Sequence, residues 1–138
     1  MTGPDRPTDV LIIDDDWLFV EWACEAFRKR GFVARGAPRA DAGLEALGRG
    51  LPPKLILLDQ VLPGLCSREF LEMVRREVTW ANTPVVLLAG AAPGEVPADM
   101  RIDGFVRKPV ELPQLMSLAY RYAGRPVSSR SVTVRHGS

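Results

Sequence analysis

Three blocks of four aliphatic residues punctuate the chain: Val10-Leu11-Ile12-Ile13, Leu55-Ile56-Leu57-Leu58 and Val85-Val86-Leu87-Leu88. A weaker block, Gly104-Phe105-Val106, and another, Phe32-Val33-Ala34 after Gly31, complete the series. Unbroken apolar runs of this length predict strands buried on both faces, as in a parallel sheet. Between them, apolar positions recur at helical spacing. Asp16 is placed to N-cap a helix running to Arg30, with Phe19, Ala23, Ala26 and Phe27 on one face and Gly31 as its stop. A second helix is predicted over about Arg39 to Arg49, closed by Gly50 and Pro52-Pro53. A third covers about Ser67 to Val78, with Phe70, Leu71 and Val74 inward. The last covers about Leu112 to Ala123, with Leu115, Leu118, Ala119 and Tyr122 inward.

Five strands alternating with helices predict an α/β domain with a doubly wound, five-stranded parallel sheet, because such crossovers are right-handed. The weak place is the segment between the fourth and fifth strands, where Pro93, Gly94 and Pro97 leave room for at most a short or degraded fourth helix. Residues 1–8 are polar and Pro-rich, and 124–138 hold no core pattern. The expected organisation is therefore a disordered N-terminal segment over 1–8, one domain over 9–123, and a flexible tail or linker start over 124–138.

Composition narrows the classes. A length of 138 residues suits one domain with a proper core, and 18 basic against 17 acidic residues give no excess charge that would point to nucleic acid. No signal peptide is expected at the N-terminus, and no run of Val, Ile and Leu exceeds four residues, far short of a membrane span. With two cysteines, Cys24 and Cys66, a disulfide scaffold is excluded and a reducing, cytoplasmic setting is expected. The single histidine, His136, lies three residues from the end, which excludes most His-based catalysis and His metal clusters in the folded part.

The chemistry gathers at strand ends. In an open parallel sheet, ligands bind beyond the C-terminal ends of the strands. The first strand ends in Asp14-Asp15-Asp16, the third in Asp59, and the fifth in Lys108-Pro109. Strands one and three should be neighbours, so the carboxylates would converge and repel unless protonated or neutralised by a divalent cation. Hard oxygen ligands favour Mg²⁺. With a lysine at the same edge, the set suits a dianionic phosphoryl group. A single Asp after a strand is by itself usually a helix cap, and Asp16 fits that role; the joint placement on three strands is what points to a site.

The segments LIIDDD, LILLDQVLPG and GFVRKPVEL resemble the three signature regions of response-regulator receiver domains, and the resemblance covers roughly Asp9 to Ala123. It implies a flavodoxin-like, CheY-like (βα)5 fold. It also implies a phosphoacceptor at Asp59, an acidic pair Asp14 and Asp15 that holds Mg²⁺ (or Mn²⁺) together with Asp59 and the backbone carbonyl of Val61, and a cis peptide before Pro109. Lys108 would contact the phosphoryl group. The implied donors are a histidine kinase or a histidine phosphotransfer protein. The implied listener is a downstream effector protein or a fused domain outside this chain, with no direct nucleic-acid contact and no membrane insertion. Such a domain is a stoichiometric phosphoacceptor rather than an enzyme.

Two departures stand out. Ala89 occupies the position where such domains carry a Thr or Ser hydroxyl that couples to an aromatic residue, here Phe105. A methyl cannot donate a hydrogen bond, so the usual switch should be weakened or rerouted. The short fourth helix alters the surface usually used for output. Ala89 therefore supports an alternative, a phosphorylation-independent receiver-like protein-binding module. A phosphatase passing through an aspartyl-phosphate would need a second Asp where Val61 stands, and no G-x-G-x-x-G follows the first strand to bind a dinucleotide. Fifteen residues after Ala123 cannot hold a helix-turn-helix, and the three dispersed arginines Arg125, Arg130 and Arg135 are a weak nucleic-acid signal. Cys66 is expected to be a small packing residue, and Trp17, Trp22 and Trp80 half-buried.

Overall fold

The computed structural model describes residues 7–62, 64–90, 96 and 99–124. The expectations for 1–6, for Pro63, for the segment with Pro93, Gly94 and Pro97, and for the tail with Arg125, Arg130, Arg135 and His136 lie outside the described residues. The elements are β1 (Val10–Ile13), α1 (Trp17–Lys29), β2 (Ala34–Ala37), α2 (Ala40–Leu47), β3 (Leu55–Asp59), α3 (Ser67–Arg76), β4 (Val85–Ala89), β5 (Gly104–Arg107) and α4 (Leu112–Ala123). All strand pairs are parallel, in the order β2-β1-β3-β4-β5. This order reverses direction at β1/β3, which places a crevice at their C-terminal ends. Among the described residues no helix separates β4 from β5, in keeping with the expected degraded fourth helix.

Side chains alternate across a strand, and the sheet separates two cores by that rule. Val10, Ile12, Leu55, Leu57, Val86 and Leu88 face α1 and α4, whereas Leu11, Ile13, Ile56, Leu58, Val85 and Leu87 face α2 and α3. The central strands β1, β3 and β4 are buried at every position, so their apolar runs are uninterrupted.

The largest difference from the sequence reading is β2. Phe32 and Val33 precede the strand, which runs Ala34–Ala37. Helix α1 ends in a Schellman arrangement, with Gly31 N–H donating to Arg28 O at 2.9 Å and Phe32 N–H to Phe27 O at 3.1 Å. Gly31 supplies the positive φ of 92° that this turn requires. Phe32 then stacks edge-on against Phe27, their ring centroids 6.2 Å apart. The apolar signal at 32–34 thus belongs largely to a helix stop, and the edge strand itself reads Ala-Arg-Gly-Ala.

Candidate functional site at the strand ends

Continuing the alternation past the strand ends builds the site. Residues 10, 12 and 14 on β1, 55, 57 and 59 on β3, and 106 and 108 on β5 lie on the α1/α4 side of the sheet. Ile13 pairs with Leu58, so Asp14 and Asp59 fall on the next rung. Both carboxylates are buried, Asp14 wholly and Asp59 with 6% of its surface exposed, whereas Asp15 is open to solvent. Oxygens of Asp14, Asp15 and Asp59 lie within 4.8 Å of one another.

Lys108 closes the cluster. Its Nζ stands 3.0 Å from Asp14 Oδ2 and 3.2 Å from Asp59 Oδ1, and its backbone N–H donates to Ala89 O at 2.9 Å. The peptide from Lys108 to Pro109 is cis, as expected. Asp14 Oδ1 accepts the Asp16 N–H at 2.9 Å, and Asp59 Oδ1 accepts the Val61 N–H at 3.4 Å. Asp14 Oδ2 is buried and accepts no hydrogen bond of good geometry among the described residues; the nearby ammonium offers it charge but not a well-aligned N–H.

Electrostatics follow from this crowding. Burial, reinforced by the negative charge of Asp14 and only partly offset by Lys108, pushes the Asp59 carboxyl up to about 6. Burial alone would depress the Lys108 ammonium, but its contacts with Asp14 and Asp59 outweigh that and hold it above its ordinary value. An unsatisfied buried carboxylate oxygen beside two further carboxylates is a donor set that fits a small, hard divalent cation.

The supporting shell was largely invisible in the sequence. Buried Ser67, the first residue of α3, donates its hydroxyl toward both Asp59 O at 2.5 Å and Gln60 O at 2.9 Å, fixing the turn after the phosphoacceptor candidate. The Gln60 carboxamide accepts the Gly90 N–H at 3.1 Å. A Ser opening a helix reads as a cap, and nothing local says that it would reach eight residues back. Cys66 is exposed rather than packed, which corrects the expectation. It precedes α3, its N–H held by Glu69 Oε1 at 3.2 Å.

Asp16 is the N-cap of α1, accepting the Phe19 N–H at 3.2 Å. Trp17 and Trp22 are 47% and 43% exposed, close to the half-buried state expected, and Trp80 packs partly on the α2/α3 core. Beside Lys108, an open cleft of about 590 Å³ is lined by Asp16, Phe19, Trp22, Lys108, Pro109 and Val110. Ala89 is buried, whereas Phe105 is 48% exposed, with the Arg107 guanidinium 5.3 Å from its ring centroid. No helix among the described residues is long and apolar enough to cross a membrane.

Known proteins resemble this chain in sequence and in fold. The chain is 38% identical over 111 residues to the transcriptional activator protein PfeR of Pseudomonas aeruginosa, covering 80% of this chain and 34% of that protein. It is 29% identical over 113 residues to the phosphate regulon transcriptional regulatory protein PhoB of Klebsiella pneumoniae, covering 78% of this chain and 48% of PhoB. It therefore spans between a third and a half of the length of these relatives. The crystal structure of chemotaxis protein CheY4 from Vibrio cholerae superposes with a TM-score of 0.75 at 18% identity, covering 85% of this chain and 99% of CheY4, which shows a shared CheY-like fold. The model of the response regulator receiver domain family matches residues 10–120. From strand order to acidic strand ends, the chain belongs to the response regulator receiver domain family of two-component signalling.

Proposed function

We propose that Asp59 accepts a phosphoryl group from a phosphohistidine on a histidine kinase or histidine phosphotransfer protein, or from a small acyl phosphate. The observation that carries this reading is the joining of Asp14, Asp15 and Asp59 within 4.8 Å, with Lys108 bridging Asp14 and Asp59. A carboxylate needs no general base. An Asp59 oxygen attacks phosphorus, the phosphorus–nitrogen bond to the histidine (or the phosphorus–oxygen bond to the acyl group) breaks, and the leaving group departs with its electron pair. Asp14, Asp15, Asp59 and the Val61 carbonyl would hold Mg²⁺ or Mn²⁺, which supplies charge neutralisation for the carboxylates and the incoming phosphoryl oxygens. Lys108 orients and neutralises the transferred group. The role is that of a stoichiometric acceptor, passing its state to an effector protein or fused domain.

Ala89 favours a second reading, a receiver-like binding module that signals without phosphorylation. Its buried methyl offers no hydrogen bond to a phosphoryl group. The two readings separate in one assay: intact-mass measurement after incubation with Mg²⁺ and acetyl phosphate. A gain of one phosphoryl group in the native chain and none in Asp59→Asn supports the acceptor. No gain under conditions that label an ordinary receiver supports the binding module.

A further inference from the structure

Lys108 belongs to two places at once. Its ammonium reaches Asp14 and Asp59 at 3.0 and 3.2 Å, and its side chain also lines the open cleft of about 590 Å³ that runs between α1 and the Pro109 turn. Phe19 and Trp22 give that cleft two aromatic faces, leaning together with centroids 6.0 Å apart at 42°. The Lys108 Nζ lies 6.0 Å from the Phe19 centroid, so the cleft begins where the acidic cluster ends. Phe19 is anchored by packing on the α1/α4 core, whereas Trp22 leaves 43% of its surface open. Asp16 lines the cleft as well, tied by its Oδ1 to the Phe19 N–H. One hollow thus offers an ammonium beside Asp59, two π-faces and a carboxylate.

We propose that this cleft is a leaving-group subsite for donors that carry their phosphoryl group on an imidazole ring, with Phe19 and Trp22 selecting the ring. The inference rests on Asp59 being the phosphoacceptor and names which donors it prefers. A phosphoimidazole has the same charge order as the cleft: a phosphoryl anion, a flat π-system, and an N–H on the ring nitrogen farther from phosphorus. With the phosphoryl group against Lys108, the ring rests on Phe19 and Trp22, and its far N–H donates to Asp16. An Asp59 oxygen forms the new bond to phosphorus as the phosphorus–nitrogen bond breaks. That bond's electron pair stays on the near ring nitrogen, the far nitrogen keeps its proton, and neutral imidazole departs. Aromatic faces hold the ring throughout, and a hydrogen bond to a carboxylate is about twice as strong as a neutral one. A leaving group without a ring, such as ammonia, gains no stacking.

The test compares two small donors, phosphoimidazole and phosphoramidate, which share a phosphorus–nitrogen bond and differ in the ring. Second-order labelling rates are read by intact mass in the presence of Mg²⁺. The quantity that decides is the ratio of the two rate constants, in which any general loss of site chemistry cancels. In Phe19→Leu and Trp22→Leu this ratio should fall at least about threefold, within the roughly two- to twelvefold worth of one aromatic pair. In Trp22→Phe, which keeps a ring, it should stay within about twofold of the native ratio. Asp16→Asn still caps α1 but lacks the charge, and its ratio should also fall at least about threefold. Should Phe19→Leu fail to fold, Trp22→Leu, at an exposed position, decides for the rings. An unchanged ratio in the leucine variants or in Asp16→Asn overturns the subsite and spares the acceptor reading. So does a ratio that falls as far in Trp22→Phe as in Trp22→Leu. Absence of any mass gain in the native chain with either donor overturns the acceptor reading, and the subsite with it.

Discussion

Replacing Asp59 by Asn should stabilise the metal-free domain. The carboxyl titrates near 6 when folded, against an ordinary value of 3.8, a rise of about two units at about 1.4 kcal/mol each. The ionised form therefore costs up to about 3 kcal/mol in the native state. Lys108 is 34% exposed and admits water to one side of the pair, so a gain of about 1–3 kcal/mol is expected, the lower half reflecting solvent screening. The sign fixes the pH window. Between 3.8 and about 6 the folded chain retains a proton that the unfolded chain has released, so native stability falls as pH rises through that window. Above it the penalty is complete, and below it the penalty is absent. Thermal unfolding in chelator at about pH 8 should show Asp59→Asn melting roughly 4–12 °C higher, at about 4 °C per kcal/mol. The gap should close as pH approaches about 4. Mg²⁺ should raise the native chain and leave the variant nearly unmoved, by about 1.4 kcal/mol at ten times the dissociation constant. A variant no more stable than the native chain at about pH 8, or a gap that persists undiminished at low pH, would refute the electrostatic account.

Ala89→Thr should restore a hydroxyl at the end of β4 and tighten beryllofluoride binding by about tenfold or more, the worth of a hydrogen bond to a charged group at about 1.5–3 kcal/mol, measured by titration calorimetry; an unchanged affinity means that position no longer faces the anion. Arg75→Ala should cost about 2–4 kcal/mol in urea unfolding. Its nearly buried guanidinium donates to Ala81 O, Thr83 O, Arg101 O and Asp103 at 2.7–3.2 Å, and a loss below about 0.5 kcal/mol would show those carbonyls to be served by water.

The central strands were legible because burial on both faces leaves an unbroken apolar run, and helix α4 because its inward positions keep a helical period over twelve residues. The acidic site was legible because strand ends in a parallel sheet share one edge, so residue order alone gathers Asp14, Asp59 and Lys108. β2 was misplaced by two residues because its edge position relaxes the demand for apolar side chains, while Phe32 carries the hydrophobic signal of a helix stop. Ser67, Gln60 and Arg75 were missed for a different reason. Each matters through a backbone partner that the chain brings near only after folding, and a main-chain carbonyl leaves no letter in the sequence. The ion pair from Lys108 to Asp14 was likewise unforeseen, since a lysine expected to meet phosphate had no reason on paper to hold a carboxylate first.

Ser67 has a mechanical consequence. One hydroxyl grips the main chain of Asp59, the proposed acceptor, and of its successor, so the front of α3 is fastened to the peptide on which the chemistry is expected. A protein that grasps and displaces this helix from outside would tug on the aspartate's main chain, and a group added to the aspartate would be felt at the helix through one short side chain. A single oxygen thus ties the start of α3 to the end of β3.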